Sequence, residues 1–127
     1  MRNSKCKILV VDDQHAIVSA RTAILKSRNF ETASAFSGEE AVQVAHAFQP
    51  DCIVSDITMG AMNGVEAAIE ILGVLPRCKI FFISGNVNNW DVIEKARARG
   101  FDFEVLQKPV PPPVMLARVE QFCSQCH

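Results

Sequence analysis

Asp12-Asp13, Asp56, Ser84-Gly85 and Lys108-Pro109 are the residues of this chain whose types suit phosphorus and metal chemistry. Carboxylates brought close together repel one another unless a cation sits among them. An all-oxygen donor set that keeps several waters suits Mg2+, with Mn2+ as the second choice. A lysine ammonium and a serine hydroxyl on the same rim complete a phosphate site, because both can neutralise or hydrogen-bond phosphoryl oxygens. An aspartate carboxylate is a competent nucleophile towards phosphorus and yields an aspartyl-phosphate. Transfer of a phosphoryl group then needs positioning and charge neutralisation more than covalent assistance. That chemistry requires a fold that gathers positions far apart in the chain.

The segments around these residues supply one. Apolar runs at Lys7–Val11, Cys52–Ser55 and Lys79–Ser84 lack polar alternation, as strands buried on both faces do. A weaker run at Glu31–Ala35 and a further run at Glu104–Gln107 bring the expected strands to five. Between them lie helical patterns. Ile17, Ala20, Ile24 and Leu25 share one face, and Ser37 with Glu40 forms a capping box that opens a helix through Ala47. Val65, Ala68, Ile69, Leu72 and Leu75 follow helical spacing up to Pro76. Asn89 to Arg99 ends at Gly100, and Met115, Val119 and Phe122 mark a last helix entered through Pro111-Pro112-Pro113. Strands alternating with helices imply an α/β fold with an open parallel sheet covered on both faces. Sites in such sheets lie at the carboxyl ends of the strands. Asp12-Asp13, Asp56, Ser84-Gly85 and Lys108-Pro109 each stand at such an end.

Composition narrows the classes. With 127 residues the chain is the size of one domain, and its formal charge of -1 lacks the basic excess of a nucleic-acid binder. The apolar run Ile8 to Val11 is too short for a signal-peptide core or a membrane span, so a cytoplasmic location is the default. An odd count of 5 cysteines (Cys6, Cys52, Cys78, Cys123, Cys126) reads as small hydrophobes with free thiols rather than a disulfide framework.

The strand-end set resembles the response-regulator receiver family of two-component signalling. Asp12-Asp13 follows an apolar strand; Asp56-Ile57-Thr58-Met59 leads to Met62-Asn63-Gly64; Ser84-Gly85 and Lys108-Pro109 follow in order. Each piece alone is weak, but the ordered set over roughly Lys5 to Cys123 is specific. The resemblance implies a flavodoxin-like doubly wound (βα)5 domain with a five-stranded parallel sheet in the order 2-1-3-4-5. It implies a single domain over 1–127, with its core at about 5–124, of the stand-alone type. Asp56 is implied as phospho-acceptor. Asp13, Asp56 and the Thr58 carbonyl are implied as Mg2+ ligands, with Asp12 acting mostly through water. Ser84 and Lys108 would contact the phosphoryl group, and Gly85 would leave the site open to donor and water. The Lys108-Pro109 bond is cis in relatives. A histidine kinase or histidine phosphotransfer protein would be the donor, an unknown downstream protein the target, and the chain a monomer or weak dimer. It would touch neither nucleic acid nor membrane, and it would not be an enzyme beyond catalysing its own phosphorylation and dephosphorylation.

Two departures bear on this. Gly60 stands where relatives carry proline, which loosens the loop. The switch of the family pairs the hydroxyl residue, here Ser84, with an aromatic ring three residues before the lysine; Val105 stands there instead, and Phe103 is the alternative ring. A binding module independent of phosphorylation, or a phosphate sink or relay, is therefore the competing reading. An aspartate-nucleophile phosphatase is disfavoured, because Thr58 replaces the second acid such enzymes place two residues on. Cys123-Ser-Gln-Cys126-His127 matches a c-type haem attachment pattern, but without export signal or haem pocket it is read as coincidence. His15 and His46 read as surface or core-edge residues. Trp90 stands equally as a core residue or a partner contact.

Overall fold

The computed structural model describes residues 5–57, 64–85, 90–101, 103–108 and 110–126; at 90–92 and 125–126 only the backbone is described. Five strands, β1 Lys7–Val11, β2 Glu31–Ala35, β3 Cys52–Asp56, β4 Lys79–Ser84 and β5 Glu104–Gln107, alternate with five helices. The helices are α1 His15–Ser27, α2 Gly38–Phe48, α3 Gly64–Val74, α4 Trp90–Ala98 and α5 Pro112–Cys126. All strand pairs are parallel, and the sheet order is β2-β1-β3-β4-β5. Four strands match the sequence reading to the residue, and β3 extends one residue further, to Asp56.

Side-chain alternation along each strand divides the core in two. Leu9, Val11, Ile53, Ile80 and Phe82 face one side, where they meet Ala41 and Ala45 of α2, Val65 and Ile71 of α3, and Ile93 of α4. Ile8, Val10, Val54, Phe81 and Ile83 face the other, against Val18 and Leu25 of α1 and Met115 and Val119 of α5. Both faces of the central strands are thus covered, which accounts for their unbroken apolar runs.

Local signals end the elements as expected. Ser37 Oγ accepts from the Glu40 N–H at 3.0 Å, while the Glu40 carboxylate accepts from the Phe36 N–H at 2.7 Å, so orphan donors at the start of α2 are satisfied. Helix α2 closes on Gln49 in the left-handed region, at φ 54.

The cysteines depart from the sequence reading. Cys6 and Cys123 are joined by a disulfide, with Cα atoms 6.2 Å apart across a sequence separation of 117; Cys52 and Cys78 are free and buried. The physical reason is shared facing. Cys6 precedes Ile8 and Val10 with the same alternation, Cys123 lies one helical turn beyond Val119, and both join the same buried cluster. Cys126 has no described side chain, and His127 lies outside the described residues.

Candidate functional site

The β1 ladder ends where Asp12 donates its backbone N–H to the Ala35 carbonyl at 3.2 Å. From there the chain turns into α1, and the Asp12 carboxylate stabilises the turn. Its Oδ1 accepts the Gln14 N–H at 3.0 Å, and Gln14 caps α1 without help from its own side chain. The turn-forming role of aspartate and a site role therefore coexist in one residue. Asp12 is 1% exposed, whereas Asp13 is exposed. Asp56 closes β3, with Ile83 of β4 as its register partner.

Carboxylate oxygens of Asp12, Asp13 and Asp56 lie within 4.8 Å of one another. Carboxylates this close suit a hard divalent cation: a small oxygen-only donor set with room for waters is what Mg2+ takes. The residues present therefore fit the metal that the acidic pocket calls for. Asp12, Asp13 and Asp56 would hold it. Thr58 lies outside the described residues, as do Met59, Gly60, Met62 and Asn63.

Ser84 follows Ile83 and ends β4 beside this cluster, buried at 2% exposure. Its carbonyl accepts the Lys108 N–H at 2.8 Å, which brings the end of β5 onto the end of β4. The Lys108 stem then runs across Gly85. A Cβ at Gly85 would come 3.3 Å from Lys108 Cδ and 3.4 Å from its Cβ, so the bare backbone leaves passage for the lysine. Pro109 lies outside the described residues, as do Asn86 to Asn89.

Two residues at this rim carry parts that the strand-end reading missed. Gly64, the first residue of α3, donates its N–H to the Ile57 carbonyl at 2.6 Å. A Cβ there would collide with the Asp56 carbonyl oxygen and stand 3.2 Å from Ile57 Cα, both backbone atoms. The glycine thus lets α3 begin against the end of β3. Arg21 of α1 places its guanidinium 3.3 Å from Asp12 Oδ2. In the sequence, a lone arginine in an amphipathic helix reads as a solvated charge.

Val105, opposite Phe82 in β5, is partly buried against the first core cluster. Phe103, the alternative ring, lies in the core here. It is 1% exposed, edge-on to Phe82 at 4.9 Å and stacked on Phe101 at 5.9 Å, inside the core. His15 is exposed and stacks on Phe36 at 3.9 Å, and His46 is exposed on α2. The side chain of Trp90 lies outside the described residues.

Fold and rim together define a doubly wound α/β domain with an acidic crevice, flanked by a lysine, at the carboxyl ends of its strands. The sequence pattern of the response regulator receiver domain matches residues 8–120, and the chain belongs to that family. Among its relatives is the chemotaxis protein CheY of Thermotoga maritima, 36% identical over 107 residues that cover 84% of this chain and 88% of the relative. The DNA-binding response regulator MtrA of Mycolicibacterium smegmatis is 26% identical over 94% of this chain, which spans 51% of that protein. The fold is shared with a CheY-like receiver domain from Methanospirillum hungatei, at TM-score 0.86 and 24% identity over 96% of each chain. Vibrio cholerae CheY4 superposes with TM-score 0.83 at 24% identity over 93% of this chain and 98% of its own. Phosphoryl acceptance is the general function of the family, whose members are switches rather than classical enzymes. The family binds Mg2+ at an acidic pocket, where this chain has Asp12, Asp13 and Asp56.

Proposed function

We propose that this chain accepts a phosphoryl group on Asp56 and signals through contact with another protein. The observation that carries the reading is the convergence of the Asp12, Asp13 and Asp56 oxygens within 4.8 Å, beside Lys108 threaded over Gly85. A carboxylate oxygen of Asp56 attacks phosphorus, the bond from phosphorus to the donor's imidazole nitrogen breaks, and the imidazole leaves with a proton. Lys108 neutralises a phosphoryl oxygen, and the Ser84 hydroxyl donates to another. Bound Mg2+, or Mn2+, would supply charge neutralisation for the acidic residues and the incoming group. Asp13 and Asp56 would be direct ligands together with the Thr58 carbonyl, and Asp12 would act through water. The donor is a histidine kinase or histidine phosphotransfer protein. The cytoplasm is the compartment that fits, among the described residues no helix is long and apolar enough to cross a membrane, and we read residues 1–127 as one receiver, monomeric or weakly dimeric.

A second reading has one observation in its favour. Val105 stands at the ring position and Phe103 is packed in the core against Phe82, which favours transfer without relay by a rotating ring. The chain would then be a binding module, or a sink or relay, with transfer uncoupled from surface change.

Intact mass after incubation with acetyl phosphate tests the first reading. The expected result is gain of one phosphoryl group that requires Mg2+ and disappears in Asp56→Asn or with chelator. No gain in a folded, Mg2+-binding chain would leave the binding module as the better account. Equal partner affinity of the phosphorylated and unphosphorylated chain would support the second reading over the first.

A further inference from the structure

Arg21 is the cation nearest the acidic crevice on the α1 side, and its surroundings are unlike those of a surface arginine. Its guanidinium lies 3.3 Å from Asp12 Oδ2, with side chains 16% and 1% exposed. Arg21 also lines an apolar pocket of about 150 Å³ between α1 and α5, together with Ile17, Ile24, Ile83, Val110 and Met115. The arginine therefore lays its methylenes on apolar surface and turns its head inward, to a carboxylate, rather than outward to water. A charge held this way is screened less than one in solvent. Asp12 has no other described side-chain partner: Oδ1 takes the Gln14 N–H and Oδ2 takes Arg21.

We propose that Arg21 is a positioning residue that lowers the affinity of the acidic crevice for its divalent cation. The inference rests on the metal-binding reading above. Without metal, the guanidinium offsets one of the three clustered negative charges and keeps the buried Asp12 carboxylate from standing alone. With metal, the same positive charge faces a dication across Asp12 and opposes its binding. With Oδ1 held by the Gln14 N–H and Oδ2 by Arg21, both oxygens of Asp12 are engaged, which leaves direct ligation to Asp13 and Asp56. The outcome is a site that exchanges its cation readily instead of trapping it, and that does not depend on metal for its folded geometry.

The test is calorimetric titration of MgCl2 into the wild type, Arg21→Gln and Arg21→Lys at fixed ionic strength. Glutamine keeps much of the stem and a donor but removes the charge, and lysine keeps the charge. Arg21→Gln is expected to bind Mg2+ about three- to tenfold tighter, the size of effect that removal of one nearby charge has at a partly screened site. Arg21→Lys is expected to stay within about twofold of wild type, since it preserves the Coulomb effect. The same proteins give a second readout: the rise in Tm on adding Mg2+ should be larger for Arg21→Gln, whose metal-free form has lost the counter-charge to Asp12. A purely structural arginine predicts the opposite, weaker Mg2+ binding in the glutamine variant. Unchanged or weakened binding in Arg21→Gln, with the wild type binding Mg2+, would overturn the role of Arg21 alone. No Mg2+ binding by the wild type would overturn it together with the metal-dependent reading.

Discussion

At the scale of single residues, the carboxyl-end rim is where the family's chemistry lies, whereas the free thiols Cys52 and Cys78 lie at the amino ends of β3 and β4. Burial pushes the Cys78 thiol up to about 12, with the Asp51 carboxylate adding to the effect. A thiol whose ionisation is suppressed to this degree is a poor nucleophile. In native protein at pH 8, iodoacetamide should therefore leave the Cys78 peptide unmodified, while the same treatment in urea labels it; peptide mass mapping reads the difference. The unfolded thiol ionises near 9.0 and the folded one only near 12. The stability contributed by the neutral buried thiol is whole below about pH 9 and is lost as pH rises through the window up to 12. Cys78→Ala should flatten that alkaline decline in urea midpoints measured from pH 8 to pH 10. Gly85 belongs to this scale as well. Alanine there would meet the Lys108 stem at 3.3 Å, a flexible neighbour able to move by a few tenths of an ångström. Gly85→Ala should accordingly fold normally but slow acetyl phosphate transfer to Asp56, as followed by intact mass over time.

At the scale of elements, the glycine that opens α3 is less forgiving. Its contacts are the backbone of Asp56 and Ile57, which cannot yield as a lysine stem does. Gly64→Ala should cost about 3 kcal/mol or more in urea unfolding, the upper end of overpacking, because strand and helix must part to admit the methyl. The strands and helices were almost wholly legible in the sequence, since unbroken runs such as Ile80 to Ile83 and stops such as Pro76 and Gly100 are local signals. The acidic triad was legible for the same reason: Asp12 and Asp13 directly follow β1, Asp56 closes β3, and parallel strands bring their ends to one rim. What was not legible depends on facing between distant elements. Nothing near Arg21 in the chain says that its head turns to Asp12 rather than to water. The Cys6–Cys123 pairing likewise needs the strand alternation of β1 and the buried face of α5 to be known together. Neither the odd cysteine count nor the expected compartment carries that information.

At the scale of the whole molecule, that bridge spans nearly all of the described chain. Closing a loop of 117 residues restricts the unfolded ensemble, and the chain-entropy estimate for loops of this length is about 4 to 5 kcal/mol. Treatment with dithiothreitol should therefore lower Tm measurably, and Cys6→Ser with Cys123→Ser should reproduce the shift without reductant. An equal Tm in both forms would show the bond to be energetically idle. In a reducing cytoplasm the two cysteines would be held as thiols. The proposed Asp56 chemistry uses neither of them, so transfer to Asp56 should persist after reduction at temperatures below the lowered Tm. The bridge also changes what the molecule is under tension. Pulled from points outside residues 6 and 123, the oxidised domain carries the load through one sulfur–sulfur bond, and neither the sheet nor the acidic rim feels it. Reduction would reroute the same force through β1 and α5 and release roughly 40 nm of chain on unfolding, from about 0.36 nm per extended residue. As a mechanical component, the oxidised protein is a closed ring with the signalling crevice outside the path of force.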